Sequence, residues 1–409
     1  MRVWQGIFCG VLLVPLTLWS ALPAQAVSVS GRASTVMEWY DTAREDTAVP
    51  VYQYLQLSLR DLGGEGYNFR GYGRIADDLN SEADIDSRLY FAYLEKKDLF
   101  DGLDFRLGRQ FISTTAGASL MDGLALDYRL SDTYAVKLFG GGDVSYYEGY
   151  NVKDVLTGIE LTAHYRDSID LGLSYLQKWE GGLIAQELAG FDANIDIRGK
   201  LWLYNELQWD ILSERLSYAN LGGKYRFDAP FTLRLEYLYS LPVFSSTSIY
   251  SVFAVEEYEE VLAEATWHIR RGLQAYARYV RELYDEFSDA DVFEIGLEKL
   301  RTGKFSGYVS GICRIDDDGQ DLKGFKVRGA YRLTEWLEAG LGANIDVLER
   351  EIDFFETDGS SDETTSQRYW ADVTWHINKK TNLQAKFERI ESDLWDYYNR
   401  GIVRFNIQF

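Results

Sequence analysis

The chain has 409 residues, 46% of them hydrophobic and 15% aromatic, with 3 His and 2 Cys, and its 64 Asp+Glu against 42 Lys+Arg give a net charge of -22. So much Tyr, Phe and Trp excludes a disordered chain, and the negative field, with no basic cluster interleaved with aromatics, excludes nucleic acid as a partner. Because Cys9 sits in the first apolar segment, only Cys313 remains beyond it, which excludes an intrachain disulfide, Cys-rich zinc sites and iron-sulfur ligation.

The first segment, 1–26, reads as a signal peptide: Arg2 is the charged start, an apolar run extends from Ile7 to Leu22, and Ala24 and Ala26 flank Gln25 in the small-x-small form of a cleavage site. Cys9 lies too early in the run to be a lipid-attachment cysteine. Residues 27–409 contain no Pro-rich or Ser-rich linker and are expected to form one exported domain. No later stretch approaches the roughly 18 to 20 apolar residues that a spanning helix needs. Any passage through a membrane would be made by strands.

From Val27 onward the prevailing period is two, in segments of about ten residues, which predicts strands with one apolar face. Leu103, Phe105 and Leu107 share such a face, and alternation carries Arg109 onto it unless a bulge or the membrane rim intervenes. The same reading fits Leu201 to Ile211. In the next clear example, Phe231, Leu233, Leu235, Tyr237 and Tyr239 oppose Thr232, Arg234 and Glu236. From Leu337 to Val347 the odd positions are apolar and the even ones are Glu338, Gly340, Gly342, Asn344 and Asp346. Aromatics stand at both ends of the apolar faces: Trp39, Trp179, Trp209, Tyr239 and Tyr369 at one end, Tyr165, Phe231, Trp267, Tyr331 and Trp375 at the other. Two such belts suit the two headgroup interfaces of a bilayer rather than the core of a soluble sandwich or propeller.

The connectors alternate in length. Ten are short turns, such as Arg198-Gly199-Lys200. Eleven are longer, among them Asp41–Val49, Asp78–Asp86, Ile112–Leu120, Gly141–Asp154, Glu180–Gln186, Ser240–Val255, Glu349–Ser366 and Glu391–Asp396. Together they imply about 22 strands, with a range of about 18 to 24, and an even number places both termini on the short-turn side, the periplasm. The longer connectors hold enough acidic residues to account for the whole net charge, whereas the short turns carry basic pairs such as Arg270/Arg271 and Lys379/Lys380.

The last strand has the most specific pattern. Gly401, Val403, Phe405, Ile407 and Phe409 share one face, opposite Arg400, Arg404, Asn406 and Gln408. Here the sequence resembles the bacterial outer-membrane β-barrel superfamily, whose members commonly end in an assembly signal of this form. Leu107-Gly108-Arg109-Gln110, followed by Asp122-Gly123, is similar over a short span to a strand of porin-type and polysaccharide-export barrels. The resemblance implies an all-β, transmembrane, antiparallel up-and-down barrel in the outer membrane, handled by the barrel assembly machinery and touching lipid and lipopolysaccharide. A first strand starting at or just after Val27 leaves no room for an N-terminal plug domain. Closure of 22 strands gives a backbone radius of roughly 20 to 25 Å.

The face opposite the apolar one supplies the expected pore lining: Arg106, Glu160, Lys178, Glu206, Arg234, Glu236, Glu264, Arg278, Glu294, Glu298, Lys326, Arg328, Asp346, Asp372, Lys386, Glu388 and Arg404. These charges either pair across neighbouring strands or present a polar wall. An acidic mouth would concentrate cations at low salt, and the same residues would equally serve as a solvated surface holding divalent cations against lipopolysaccharide. The expected function is a porin-like channel for diffusion of ions or small polar solutes, mildly cation-selective and without a cofactor. The alternative is a sheath around a periplasmic or extracellular partner that fills the lumen, such as a multihaem cytochrome conduit or a polysaccharide export apparatus.

An enzyme finds no support. His164, His268 and His376 fall on strands 8, 14 and 20, each facing inward before a short turn, and strands six apart place them about 30 Å from one another. They cannot share a metal. Glu256/Glu257 and Glu259/Glu260 read as exposed charge at a loop exit rather than as glycosidase acids. Asp316 to Asp321 has the flavour of a calcium loop, yet Val327 occupies the twelfth position, where an acidic residue is required. No catalytic, metal or cofactor residue is therefore expected.

Overall fold

The computed structural model describes residues 27–409 except 43–45, 145–152, 167, 243–256, 286, 320, 351–361 and 393–394, and describes 348–350, 362–364 and 395–397 by their backbone only. Residues 1–26, expected to be a signal peptide with Ala24 and Ala26 at its cleavage site, lie outside the described residues, as do large parts of the three longest connectors.

Twenty-two long strands follow one another. They are β1 (Ser28–Asp41), β2 (Pro50–Leu62), β3 (Tyr67–Asp78), β4 (Arg88–Phe100), β5 (Leu103–Thr114), β6 (Gly117–Arg129), β7 (Tyr134–Asp143) and β8 (Val155–Tyr165), then β9 (Ile169–Glu180), β10 (Leu183–Ile197), β11 (Leu201–Asp210), β12 (Arg215–Arg226), β13 (Phe231–Ser240), β14 (Tyr258–Arg270) and β15 (Leu273–Tyr284). The last seven are β16 (Ala290–Lys299), β17 (Phe305–Asp316), β18 (Leu322–Arg332), β19 (Leu337–Arg350), β20 (Asp362–His376), β21 (Thr381–Ser392) and β22 (Trp395–Gln408). A two-residue bridge, Thr47–Ala48, folds back on the end of β1. Among the described residues there is no helix.

Each strand pairs antiparallel with its neighbours in the chain, and β1 pairs with β22 from Arg32↔Gln408 to Tyr40↔Arg400, which closes the sheet into a barrel. Closure leaves no unpaired edge, the condition for strands to cross a bilayer. The register sorts the alternation into two faces. Outside lie large apolar side chains bare to their surroundings, such as Leu341 (68% exposed) and Ile295 (66%), and the aromatic belt near the short turns includes Phe231 stacked on Trp267 at 6.0 Å. Gly401, Val403, Phe405 and Ile407 share this face with Trp39 of β1, whose ring lies over Gly401 and leaves no space there for a side chain.

The strand count matches the expectation, but three connectors expected to be long are tight. Glu180 pairs with Leu183 across Gly181 and Gly182, both at positive φ (59° and 89°), so the ladder runs through the predicted loop Glu180–Gln186. Two successive left-handed residues form the turn that best matches strand twist. β21 and β22 likewise extend to Ser392↔Trp395. The third case, Ile112–Leu120, shapes the lumen.

Candidate functional site

β5 keeps its pairing with β4 only as far as Ala92↔Arg109, whereas its hairpin with β6 continues to Thr114↔Gly117. The bend falls where Gly108 faces Gly123. Gly108 has φ 127°, a conformation that L side chains rarely adopt, and at either glycine a Cβ would run into the neighbouring strand's carbonyl. Beyond the bend the hairpin leaves the wall. Its tip meets strands well past its own neighbour β7: Ala116 N–H donates to Ser174 Oγ of β9 at 2.8 Å, Thr115 Oγ1 donates to Asp192 of β10, and Gln208 Nε2 of β11 donates to the Ala116 carbonyl at 3.0 Å. With β7 and β8 between them in the wall, these contacts can form only through the interior.

An apolar core holds the hairpin there. Ile112, Ala116, Met121 and Ala125 from the hairpin pack with Phe139, Leu156, Leu176 and Leu188 from the inner faces of β7 to β10, and Met121 and Leu156 are 0% exposed. Gln110, also fully buried, donates to the carbonyls of Arg106 (3.2 Å) and Gly123 (3.1 Å). On the opposite, outward side of the bend Arg109 makes a bidentate pair with Asp122, Nε–Oδ1 2.8 Å and Nη2–Oδ2 2.7 Å. Every residue of the short motif that resembles porin-type barrels thus takes part in the bend or its ladder, and Arg109 faces outward, as alternation from Leu103 predicts.

In the register the seventeen residues expected to line a pore fall on the face opposite the exposed apolar side chains, and contacts across strands or along one strand engage most of them. Arg106 pairs with Asp127 (3.4 Å), Glu160 with Lys137 (2.8 Å), Lys178 with Asp143 (3.0 Å), and Arg234 with Glu236 (2.6 Å). Arg278 takes Glu264 (2.6 Å) and Glu294 (3.2 Å), Gln274 donates to Glu298 (2.8 Å), and Lys386 meets Glu388 (2.7 Å). Arg328 reaches past β19 to Asp372 on β20 at 2.9 Å, across Gly340. Glu206, Lys326, Asp346 and Arg404 form no ion pair among the described residues.

Sequence reasoning missed two features of the wall. One is the folded-in hairpin. The other is an aromatic lane on β2 to β4, where Tyr52, Tyr54, Tyr72 and Tyr90 follow ring to ring at 6.1, 6.2 and 4.8 Å, with the Arg74 guanidinium 5.0 Å from the Tyr52 centroid. Assigning aromatics to membrane belts hid them, although Tyr52 and Tyr54 stand out of phase with Leu55 and Leu57.

The histidines stay apart. His164 Nδ1 lies 2.6 Å from Asp170 of the adjoining strand, His268 bonds Thr232 at 3.2 Å, and His376 is on β20. Among the described residues no group of three His, Cys, Asp or Glu is placed to hold a metal. Outside the membrane span, in a short turn, Lys200 donates to Asp228 at 2.6 Å, which pushes the ammonium pKa up.

No family model and no curated protein matches the chain. Among solved structures, the translocation pore of the P pilus usher PapC superposes with a TM-score of 0.54 at 11% identity, over 93% of this chain and 99% of that one. The chain has the fold of a closed, 22-stranded antiparallel β-barrel. Pseudomonas aeruginosa OpdO aligns over 94% of this chain and 97% of its own at 12% identity and a TM-score of 0.48. At such identities the likeness is one of fold.

Proposed function

We propose that the barrel is a water-filled channel through which ions and small polar solutes diffuse, with both termini in the periplasm and the acidic connectors at the outer mouth. The carrying observation is the docked hairpin. A sleeve built to enclose a protein partner needs a clear lumen, whereas here part of the bore is filled by an element of the wall that has its own core. Narrowing a bore makes a diffusion path choosier without any moving part. The charged lining residues Arg106, Glu160, Lys178, Glu206, Arg234, Glu236, Glu264, Arg278, Glu294, Glu298, Lys326, Arg328, Asp346, Asp372, Lys386, Glu388 and Arg404 replace part of the hydration of a passing ion, and the net charge of -22 biases entry towards cations at low salt.

The test is single-channel conductance of the refolded barrel in a planar bilayer, with the reversal potential measured across a KCl gradient. Steady openings with a cation preference that fades at high salt are expected. A folded barrel that stays silent, or one whose current vanishes when a co-purifying protein is added back, would favour the sheath instead.

A further inference from the structure

The inner wall of β17 to β22 holds a cavity of about 530 Å³. Four cations line it, Arg328, Arg368, Lys386 and Arg404, against the single carboxylate Asp372, with Glu388 beside Lys386. Arg368 and Lys386 both lean on Glu388 (2.7 Å each) and Arg328 on Asp372 (2.9 Å), while Arg404 has no ion pair among the described residues. Positive charge is in excess here, although the chain as a whole is strongly acidic.

Unused hydrogen-bonding capacity coincides with that excess. The buried Nε atoms of Arg328 and Arg368 and the buried Oδ1 of Asn344, all in residues of the cavity lining, have no hydrogen-bond partner among the described residues. These atoms have almost no exposed surface and lie behind the cavity wall, whereas Arg404, exposed and without an ion pair among the described residues, keeps its guanidinium open to a solute. Between these groups lies Trp370, its indole laid over Gly342 of β19 with the Arg368 guanidinium and the Lys386 ammonium each 5.6 Å from the ring centroid. An aromatic plate in the same cavity as the Arg404 guanidinium offers a ring a surface to stack on and an oxyanion a charge to meet.

We propose that this cavity is a binding subsite for small solutes that carry an oxyanion on a ring, sugar acids or sugar phosphates, with Arg404 meeting the anion and Trp370 the ring. The subsite deepens the channel reading and rests on it for its role in passage. It gives a channel whose mouth attracts cations a local affinity for organic anions, so such solutes are held part-way along the wall rather than simply passing through.

The experiment uses the whole barrel in detergent and in bilayers. Isothermal titration in micelles with galacturonate and with glucose 6-phosphate, and with glucose as the neutral control, reads binding without requiring conduction. Blockade of the KCl current by the same compounds reads occupancy in the channel. At least one of the two anions is expected to bind and to block the current, and glucose to do neither. Arg404→Gln, which breaks no ion pair among the described residues, is expected to weaken anion binding about tenfold or more, and Trp370→Ala to weaken it as well. The preference between the carboxylate and the phosphate tells the two sources apart. Equal binding of glucose, or unaltered anion affinity in both variants, overturns the subsite even where conductance is normal. Binding lost on Arg404→Gln in a barrel that conducts no ions would uphold the subsite and sink the channel.

Discussion

Replacing Ile112 and Met121 together by alanine should release the β5–β6 hairpin from the wall without dismantling the barrel, because both side chains lie beyond the bend at Gly108 and Gly123 and contribute nothing to the outer surface. Ile112 is 1% and Met121 0% exposed, so each truncation costs about 2 to 5 kcal/mol of docking free energy. The three tip hydrogen bonds, at about 0.5 to 1.5 kcal/mol each, cannot hold the hairpin alone. From the bend to the tip the hairpin reaches about 23 Å, and as a second layer about 10 Å thick it covers roughly 230 Å² of the cross-section. A bore of about 15 Å effective radius offers roughly 700 Å². Release should therefore raise single-channel conductance by up to about 1.5-fold and add low-frequency noise as the hairpin docks and undocks. A heat-modifiable band on a gel verifies that the double variant is folded, and linking Ala116→Cys to Ser174→Cys in the same background should return the conductance and quiet the noise. Parental conductance and noise in a folded double variant would refute the docking energetics.

Other outcomes follow from the ion pairs and the seam. Lowering the pH from about 7 to about 3 neutralises Asp and Glu but leaves Arg and Lys charged, so the reversal potential across a KCl gradient should swing from cation towards anion preference; a constant sign across that range would contradict a carboxylate-controlled lumen. Asp122→Asn removes the carboxylate that Arg109 grips in a bidentate pair and should lower the urea midpoint of the micelle-bound barrel by the equivalent of about 3 kcal/mol, whereas Arg109→Met with Asp122→Met should regain most of the loss. Equal midpoints for the single and double variants would show that the pair is dispensable. Gly401→Val puts a side chain into the space of the Trp39 ring and should cut the folded yield in refolding assays, with Trp39→Ala as a suppressor; no effect on yield would mean that the seam tolerates a shift of the ring.

The barrel was legible because its two solvents differ on every strand. Phe231, Leu233 and Leu235 against Thr232, Arg234 and Glu236 can be read as two faces from spacing alone, and the pairing of β12 to β14 keeps those faces in register. It failed around Ile112–Leu120 because a strand that leaves the wall loses the contrast on which the rule depends. Ile112 and Met121 point into a protein core while Phe111 stays exposed, so apolar residues occur on both faces and the run looks like a loop. Gly108 and Gly123 were visible, and a pair of glycines facing each other across two strands marks a bend, but their pairing exists only in the register. The Trp370 cavity was hidden for a similar reason. Arg328, Trp370 and Arg404 come from separate strands, and only the register of the successive hairpins from β18 to β22 brings them to one cavity.

The seam between β1 and β22 also has a temporal side. Arg32 must find Gln408, nearly the whole chain away, so the contact that completes the wall has about the highest sequence separation available and is the slowest kind to form. Until then two strand edges with open backbone groups would face lipid, a state that a bilayer tolerates poorly. The residues that fasten the seam, Ser34 to Asn406 at 2.6 Å and Arg400 to Glu38 at 2.9 Å, sit at opposite ends of the sequence and meet only when the sheet closes.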